Sequence, residues 1–205
     1  LPEKRNLPLL ATHRWPHILQ LSYILYDVSC NSIVDFYDTL IKIDKTVNIN
    51  PDSIKIHNIS RDMCINKGVN MKDALIRFND ALSMSDLLIA HNIEFDKNIL
   101  KVEFIRNKIV NNFAVNNVVK PIFCTMTNSK SICKINYLTK NGNTIYKYPK
   151  LIELYKHYFR DIPLNLHNSM ADVIVCLRCY YMMKFDLDIF EISLDMKNFK
   201  DKYLK

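Results

Sequence analysis

The run Leu87-Leu88-Ile89-Ala90 is continuously apolar, stops abruptly at His91-Asn92, and is followed by a helix pattern from Ile93 to about Val110. A short apolar run of this kind is the pattern of a strand covered on both faces. A strand that feeds straight into a helix leaves few architectures open, because such units build α/β folds with a mixed sheet. Asn92 is the expected N-cap of that helix, Asp96 lies in its first turn, and Phe95, Ile99, Val102 and Ile109 form its expected apolar stripe. Ligands of open α/β sheets bind beyond the carboxyl ends of the strands. An aspartate just past such an end is therefore a candidate site residue.

A second junction has matching chemistry. In Leu166-His167-Asn168-Ser169-Met170-Ala171-Asp172, the residues Met170, Val173, Ile174, Leu177 and Tyr181 recur at helical spacing, so a helix begins near Asn168. Inside one helix His167 and Asp172 would point about 140° apart. They converge only if His167 hangs from the entry loop while Asp172 projects from the first turn. There the positive end of the helix dipole favours the ionised carboxylate and a bound cation.

The remaining elements follow in order. Residues 1–14 read as a loop, and His17–Tyr26 and Ser32–Ile43 as two strands of an antiparallel hairpin turning at Cys30-Asn31-Ser32. Pro51 opens a short helix, a second lies around Met63, and Met71–Met84 is amphipathic with Ala74, Leu75, Phe78 and Leu82 buried. Pro121–Cys124 is a strand, Thr127–Cys133 a helix, and Lys134–Tyr148 a hairpin turning at Asn141-Gly142-Asn143. Leu151–Phe159 is a helix, and the tail from about Phe185 reads as an extra helix or a frayed end.

With 205 residues the chain supports one domain with a sizeable core. No apolar run approaches the ~20 residues of a membrane span, and no signal peptide opens the chain, so the expectation is an intracellular protein without a membrane partner. The six cysteines are expected to be reduced core thiols; Cys176 and Cys179 form a C-x-x-C, but no second pair completes a zinc site. The net charge of +7 suits a polyanionic partner, although 21 lysines against 7 arginines, with abundant Asn and Ile, also fit AT-rich coding. Two glycines exclude a glycine-rich phosphate loop. Carboxylates without thiolates favour hard cations such as Mg²⁺ or Mn²⁺.

Ala90-His91-Asn92-Ile93-Glu94-Phe95-Asp96 and His167 to Asp172 resemble the second and third motifs of the DEDDh 3′→5′ exonucleases, the DnaQ-like, RNase T-type group. Ile18–Val28, Ile56-His57-Asn58-Ile59, Phe123-Cys124-Thr125-Met126 and Tyr148-Pro149-Lys150-Leu151 with Glu153-Leu154-Tyr155 fit the same family, so the resemblance runs from Leu1 to about Met183. It implies a ribonuclease H-like mixed sheet flanked by helices. It also implies removal of nucleotides from the 3′ end of single-stranded DNA or RNA by two-metal hydrolysis, with Mg²⁺ or Mn²⁺ as the two ions. Asp172 and Asp96 would hold the metals, and His167 would be the general base. Leu1, Ile56, His57, His91, Asn92 and Phe95 would bind the nucleic acid. A polymerase or a second copy of the chain is the protein partner such a domain would take.

Some positions depart from the family pattern. Asn58 stands for the usual glycine and Ser169 for the usual alanine. The first motif, D-x-E followed by T-T-G, is absent, and Glu3 cannot replace two strand-borne acids. The resemblance therefore leads to the expectation of an exonuclease domain over residues 1–185 lacking its central first strand, inactive as given, with 186–205 as a tail or extra helix. The competing expectation is a catalytically inactive module on the same fold that binds nucleic acid or protein.

Overall fold

The computed structural model describes residues 7–160, 163 and 167–204. After a 3₁₀ turn at Thr12–Arg14, strands β1 (Gln20–Asp27) and β2 (Ser32–Leu40) form an antiparallel hairpin. Helices α1 (Pro51–His57), α2 (Arg61–Lys67) and α3 (Met71–Met84) lead to β3 (Leu88–Ala90) and α4 (Ile93–Arg106). The small hairpin β4 (Ala114–Val115) and β5 (Val118–Val119) precedes β6 (Ile122–Cys124). Helices α5 (Thr125–Asn128) and α6 (Lys130–Cys133) are followed by an exposed hairpin of β7 (Asn136–Leu138) and β8 (Thr144–Tyr146). Helices α7 (Leu151–Phe159), α8 (Ser169–Phe185), α9 (Ile189–Ile192) and α10 (Leu194–Tyr203) complete the order.

The sheet consists of two halves. β1 pairs with β2, and β3 pairs in parallel with β6 through Leu88–Ile122, Ile89–Phe123 and Ala90–Cys124. No ladder joins β1 to β3 among the described residues. Both halves nevertheless share the same two covering layers. Leu21, Tyr23 and Leu88 pack toward α3 and α4, against Leu75, Phe78, Leu100 and Phe104. The alternate residues Ile24, Tyr26, Leu87, Ile89 and Phe123 pack toward α8 and α9, against Met170, Ile174, Tyr181 and Phe190. Period-two alternation in β1, and apolar residues at every position of β3, produce this sandwich.

Several boundaries differ from the sequence reading. β1 starts at Gln20 rather than His17, because the approach to it is pinned from α4: the Arg106 guanidinium donates to the carbonyls of Trp15 at 2.6 Å and Pro16 at 3.1 Å. α4 ends at Arg106, and Ile109 packs on the core from beyond it. The core-facing residues of α4 are Ile93, Leu100, Val102 and Phe104, not a stripe that includes Phe95. A single helix over Thr127–Cys133 is replaced by α5 and α6, which meet at buried Ser129. The tail forms α9 and α10, packed on α8 and β2. Arg178 of α8 anchors that tail: its Nε donates to Asp188 Oδ1 at 2.9 Å and its Nη2 to Oδ2 at 2.5 Å, while the guanidinium stacks 3.6 Å from the Phe159 ring centre. No described helix is long and apolar enough to cross a membrane.

Gly68 is sterically required. A Cβ there would lie 2.3 Å from the Cys64 carbonyl oxygen and 2.4 Å from the Lys42 nitrogen, where Lys42 N–H donates to Val69 O at 2.8 Å. Backbone atoms on both sides cannot give way cheaply. Gly68→Ala is expected to lower unfolding stability by about 1–3 kcal/mol, the usual cost of overpacking. Urea denaturation with an unchanged midpoint would show that the strand end and α2 part freely.

Candidate active site

The first turns of α4 and α8 bring Asp96 and Asp172 to one place. Asn168 caps α8: its side-chain oxygen accepts from the backbone N–H groups of Met170 at 3.1 Å and Ala171 at 3.3 Å. The same helix start is held to β1, because Ser169 N–H donates to Gln20 Oε1 at 3.2 Å and Gln20 Nε2 donates to Asp38 at 2.8 Å. His167 precedes the cap with φ 79°, and its backbone N–H donates a long 3.4 Å hydrogen bond to Asp172 Oδ1. That left-handed turn lets a residue outside the helix stay beside a carboxylate in its first turn. His167 is exposed and Asp172 half-buried.

At the other junction Asn92 does not cap α4 with its side chain. It adopts a left-handed conformation, φ 68° and ψ 46°, and its carbonyl accepts from Phe95 N–H at 2.9 Å. The tight turn is stabilised from outside by His91. His91 Nε2 lies 3.0 Å from the Pro149 carbonyl, which can only accept, so this nitrogen carries the proton. His91 Nδ1 is then left to accept from Thr125 Oγ1 at 3.0 Å. Burial holds the imidazole below its ordinary pKa, against the opposing pull of the Pro149 bond, in keeping with this neutral form. The ring ties the end of β3 to the start of α5 and to the loop after β8.

Asp96 is recessed among α4, β3 and α8 yet open to solvent as a residue. Burial pushes its carboxyl up to about 7, and the charge of Asp172 adds to the shift, so the two groups are electrostatically coupled. Asp172 is also raised, by burial, with the His167 backbone bond opposing. Behind them the buried thiol of Cys176 is pushed up to about 12, mainly by burial, and senses both carboxylates. It sits 3.6 Å from Thr125 Oγ1. Cys124, at the end of β6, behaves oppositely. Burial raises it, but the backbone N–H groups of Thr127, Ile93 and Asn92 hold it below the ordinary thiol range. The sequence placed Cys124 and Thr125 in a family-like stretch and Cys176 in a C-x-x-C but assigned none of them a place at this site, because their positions depend on the parallel pairing of β3 with β6.

The remaining expected residues are more scattered. Phe95 is half-buried and belongs to none of the core clusters among the described residues. His57 accepts from Ile59 N–H at 3.0 Å through Nδ1, and Ile56 is 55 % exposed. Neither makes a hydrogen bond to Asp96, Asp172 or His167 among the described residues. Leu1 lies outside the described residues. The two carboxylates supply hard oxygen donors that suit Mg²⁺ or Mn²⁺, and one such ion can be held by one or two carboxylates plus phosphate oxygens. Among the described residues no third His, Cys, Asp or Glu joins them in a metal-holding group.

The family profile of the RNase T exonucleases matches residues 11–180. The chain belongs to that exonuclease family. Solved structures similar to this exonuclease domain include E. coli exonuclease I in complex with a dT13 oligonucleotide, at 15 % identity and a TM-score of 0.63, covering 80 % of this chain. The complex with a 5cy-dT13 oligonucleotide aligns at 17 % identity and a TM-score of 0.62 over 84 %. The zinc-bound exonuclease I–ssDNA complex aligns at 15 % identity and a TM-score of 0.59 over 80 %. The chain spans 37 %, 38 % and 36 % of these three proteins, so the likeness concerns one fold unit of them. A search among curated proteins finds no match.

The coupled carboxyls give the domain a pH signature. A carboxyl raised from 3.8 to about 7 keeps a proton that the unfolded chain has lost, so its contribution to stability fades as pH rises through this window. In metal-free buffer Asp96→Asn is expected to raise the melting temperature, and by more at pH 8 than at pH 5. An equal effect at both values would show that Asp96 is not raised.

Proposed function

We propose that this domain is a 3′→5′ exonuclease that removes nucleotides from single-stranded DNA by metal-assisted hydrolysis. The observation that carries this reading is the meeting of Asp96 and Asp172, each in a first helical turn, with His167 bound through its backbone to Asp172. Family membership and the likeness to exonuclease I complexes with single-stranded DNA support it.

In this reading Asp96 and Asp172 would hold the cation; both would give up their protons to bind it, and its positive charge would offset the repulsion between the two carboxylates. Two divalent ions, as the DEDDh resemblance implies, would polarise the scissile phosphate and stabilise the departing 3′-oxygen. His167, at the open rim, takes the proton from the attacking water as general base. Phe95 offers its ring to the terminal base, where stacking is worth about 1–3 kcal/mol. His91 is a positioning residue that holds the turn carrying Asn92 and Phe95.

The gathering of only two carboxylates among the described residues keeps a second reading in play, a module that binds nucleic acid without cutting it. One experiment separates the two. A 5′-labelled single-stranded oligonucleotide is incubated with Mg²⁺ or Mn²⁺ and the chain fused to a preceding strand that carries the D-x-E-T-T-G motif, since the chain as given is expected to be inactive, and the products are sized. The exonuclease reading expects a ladder shortening from the 3′ end, abolished by Asp172→Ala. His167→Ala should slow it by about 10²–10⁴-fold while leaving binding intact. Binding without shortening would establish the second reading, and internal cuts would overturn the first.

A further inference from the structure

The cations of this chain are unevenly placed. From Phe104 to Ile152 there is no Asp or Glu, while Arg106, Lys108, Lys120, Lys130, Lys134, Lys140, Lys147 and Lys150 all fall in that stretch. These eight charges exceed the net charge of the whole chain, +7, so the excess positive charge belongs to this segment. Its most exposed part is the β7–β8 hairpin. Every residue of both strands is exposed, with Tyr137 at 52 %, Leu138 at 68 % and Tyr146 at 45 %, and Tyr148 beyond them at 52 %.

A two-stranded ribbon that leaves two tyrosines, a leucine and an isoleucine in solvent gains no stability from them. The ribbon is nonetheless well made. Tyr137 pairs with Ile145, Asn136 with Tyr146 and Leu138 with Thr144. Gly142 closes the turn at φ 79°, with its N–H donating to Thr139 O at 3.0 Å. At its base, Lys147 is paired with Glu153 at 2.5 Å, and Lys130 lies 4.9 Å over the Tyr148 ring. Lys134 and Lys140 are exposed and have no ion pair among the described residues.

The hairpin is also coupled to the carboxylate site. Tyr148 is followed by Pro149, whose carbonyl accepts a hydrogen bond from His91 Nε2, and His91 directly continues β3 into the turn before Phe95 and Asp96. The ribbon therefore rises from the same edge of the sheet as the site.

We propose that the β7–β8 hairpin is a docking platform for single-stranded DNA, engaging the strand on the 5′ side of the terminal nucleotide held at Asp96 and Asp172. Tyr146 and Tyr148 supply faces for base stacking, and Lys134 and Lys140 supply contacts to phosphates. Exposed aromatics on one ribbon with unpaired cations at its start and turn form a combination that binds single strands without regard to sequence. The stretch itself carries no carboxylate, and Glu153 at the ribbon's base is neutralised by Lys147, which reduces the repulsion such a strand would otherwise meet. This assignment rests on the exonuclease reading and extends it to the length of strand bound.

The test measures fluorescence anisotropy with oligo-dT of about 4 and about 12 nucleotides, lengths that span the site sizes of single-strand binders. A 3′-terminal phosphorothioate linkage blocks hydrolysis, and Mn²⁺ is present. The wild-type protein should bind the longer strand more tightly. Tyr146→Ala with Tyr148→Ala should weaken the longer strand by about ten- to a hundredfold and the shorter by no more than about twofold. Lys134→Gln with Lys140→Gln should reduce the salt slope by about 0.7 per lysine. Circular dichroism checks that the variants fold.

If the hairpin variants bind both lengths like wild type, while Asp96→Asn with Asp172→Asn weakens both, the platform is wrong and the exonuclease reading stands. If the wild-type protein binds neither strand, the exonuclease reading falls and the platform falls with it. Preference for oligo-U through the same tyrosines would overturn the DNA assignment. A change in self-association with no change in DNA binding would make the hairpin a protein contact instead.

Discussion

Helix α8 packs on both halves of the sheet, and the rest of the molecule depends on that packing. Its residues Met170, Ile174 and Tyr181 are almost fully buried against Ile24 and Tyr26 of one half and Ile89 and Phe123 of the other. Each such side chain contributes roughly 1.5–3 kcal/mol on burial. Because β1 and β3 share no ladder among the described residues, α8 on one face, with α3 and α4 on the other, holds them in register. The N-terminus of the same helix carries Asp172. Packing and site geometry are therefore set by one element, and a shift of α8 against the sheet would separate Asp172 from Asp96.

The site itself is unfavourable without a ligand. Two carboxyls are brought together in a recess where burial raises both and their charges repel. Among the described residues neither is in an ion pair, and the residues behind them, Cys176 and Thr125, are neutral. Such a pair costs stability, which a bound cation would offset. The polar contacts around the pair position the backbone. Asn168 and Gln20 hold the start of α8, and His91 holds the turn before α4.

Legibility from sequence differed by element. The β1–β2 hairpin, α3, α7 and the start of α8 at Asn168 were readable because periodicity and capping are local properties. The end of α4 was misplaced because Ile109 continues the apolar pattern after the helix has stopped. The role of Asn92 was misread because a left-handed turn and a side-chain cap favour the same residue type. His91 read as a ligand contact, and only the coordinates show both ring nitrogens engaged with Thr125 and Pro149.

By itself the sequence determined the class of fold, the two helix starts that carry Asp96 and Asp172, and the residue types available for chemistry, since these follow from local patterning and composition. Tertiary structure decided that the two aspartates meet, that Cys176 with Thr125 lies behind them, and that the hairpin with its lysines is tied through Pro149 to His91 beside the site. Asp96 and Asp172 lie far apart along the chain, and Pro149 and His91 nearly as far, so no local rule relates them. They come together because β3 pairs with β6 and both halves of the sheet bury their apolar faces against α8.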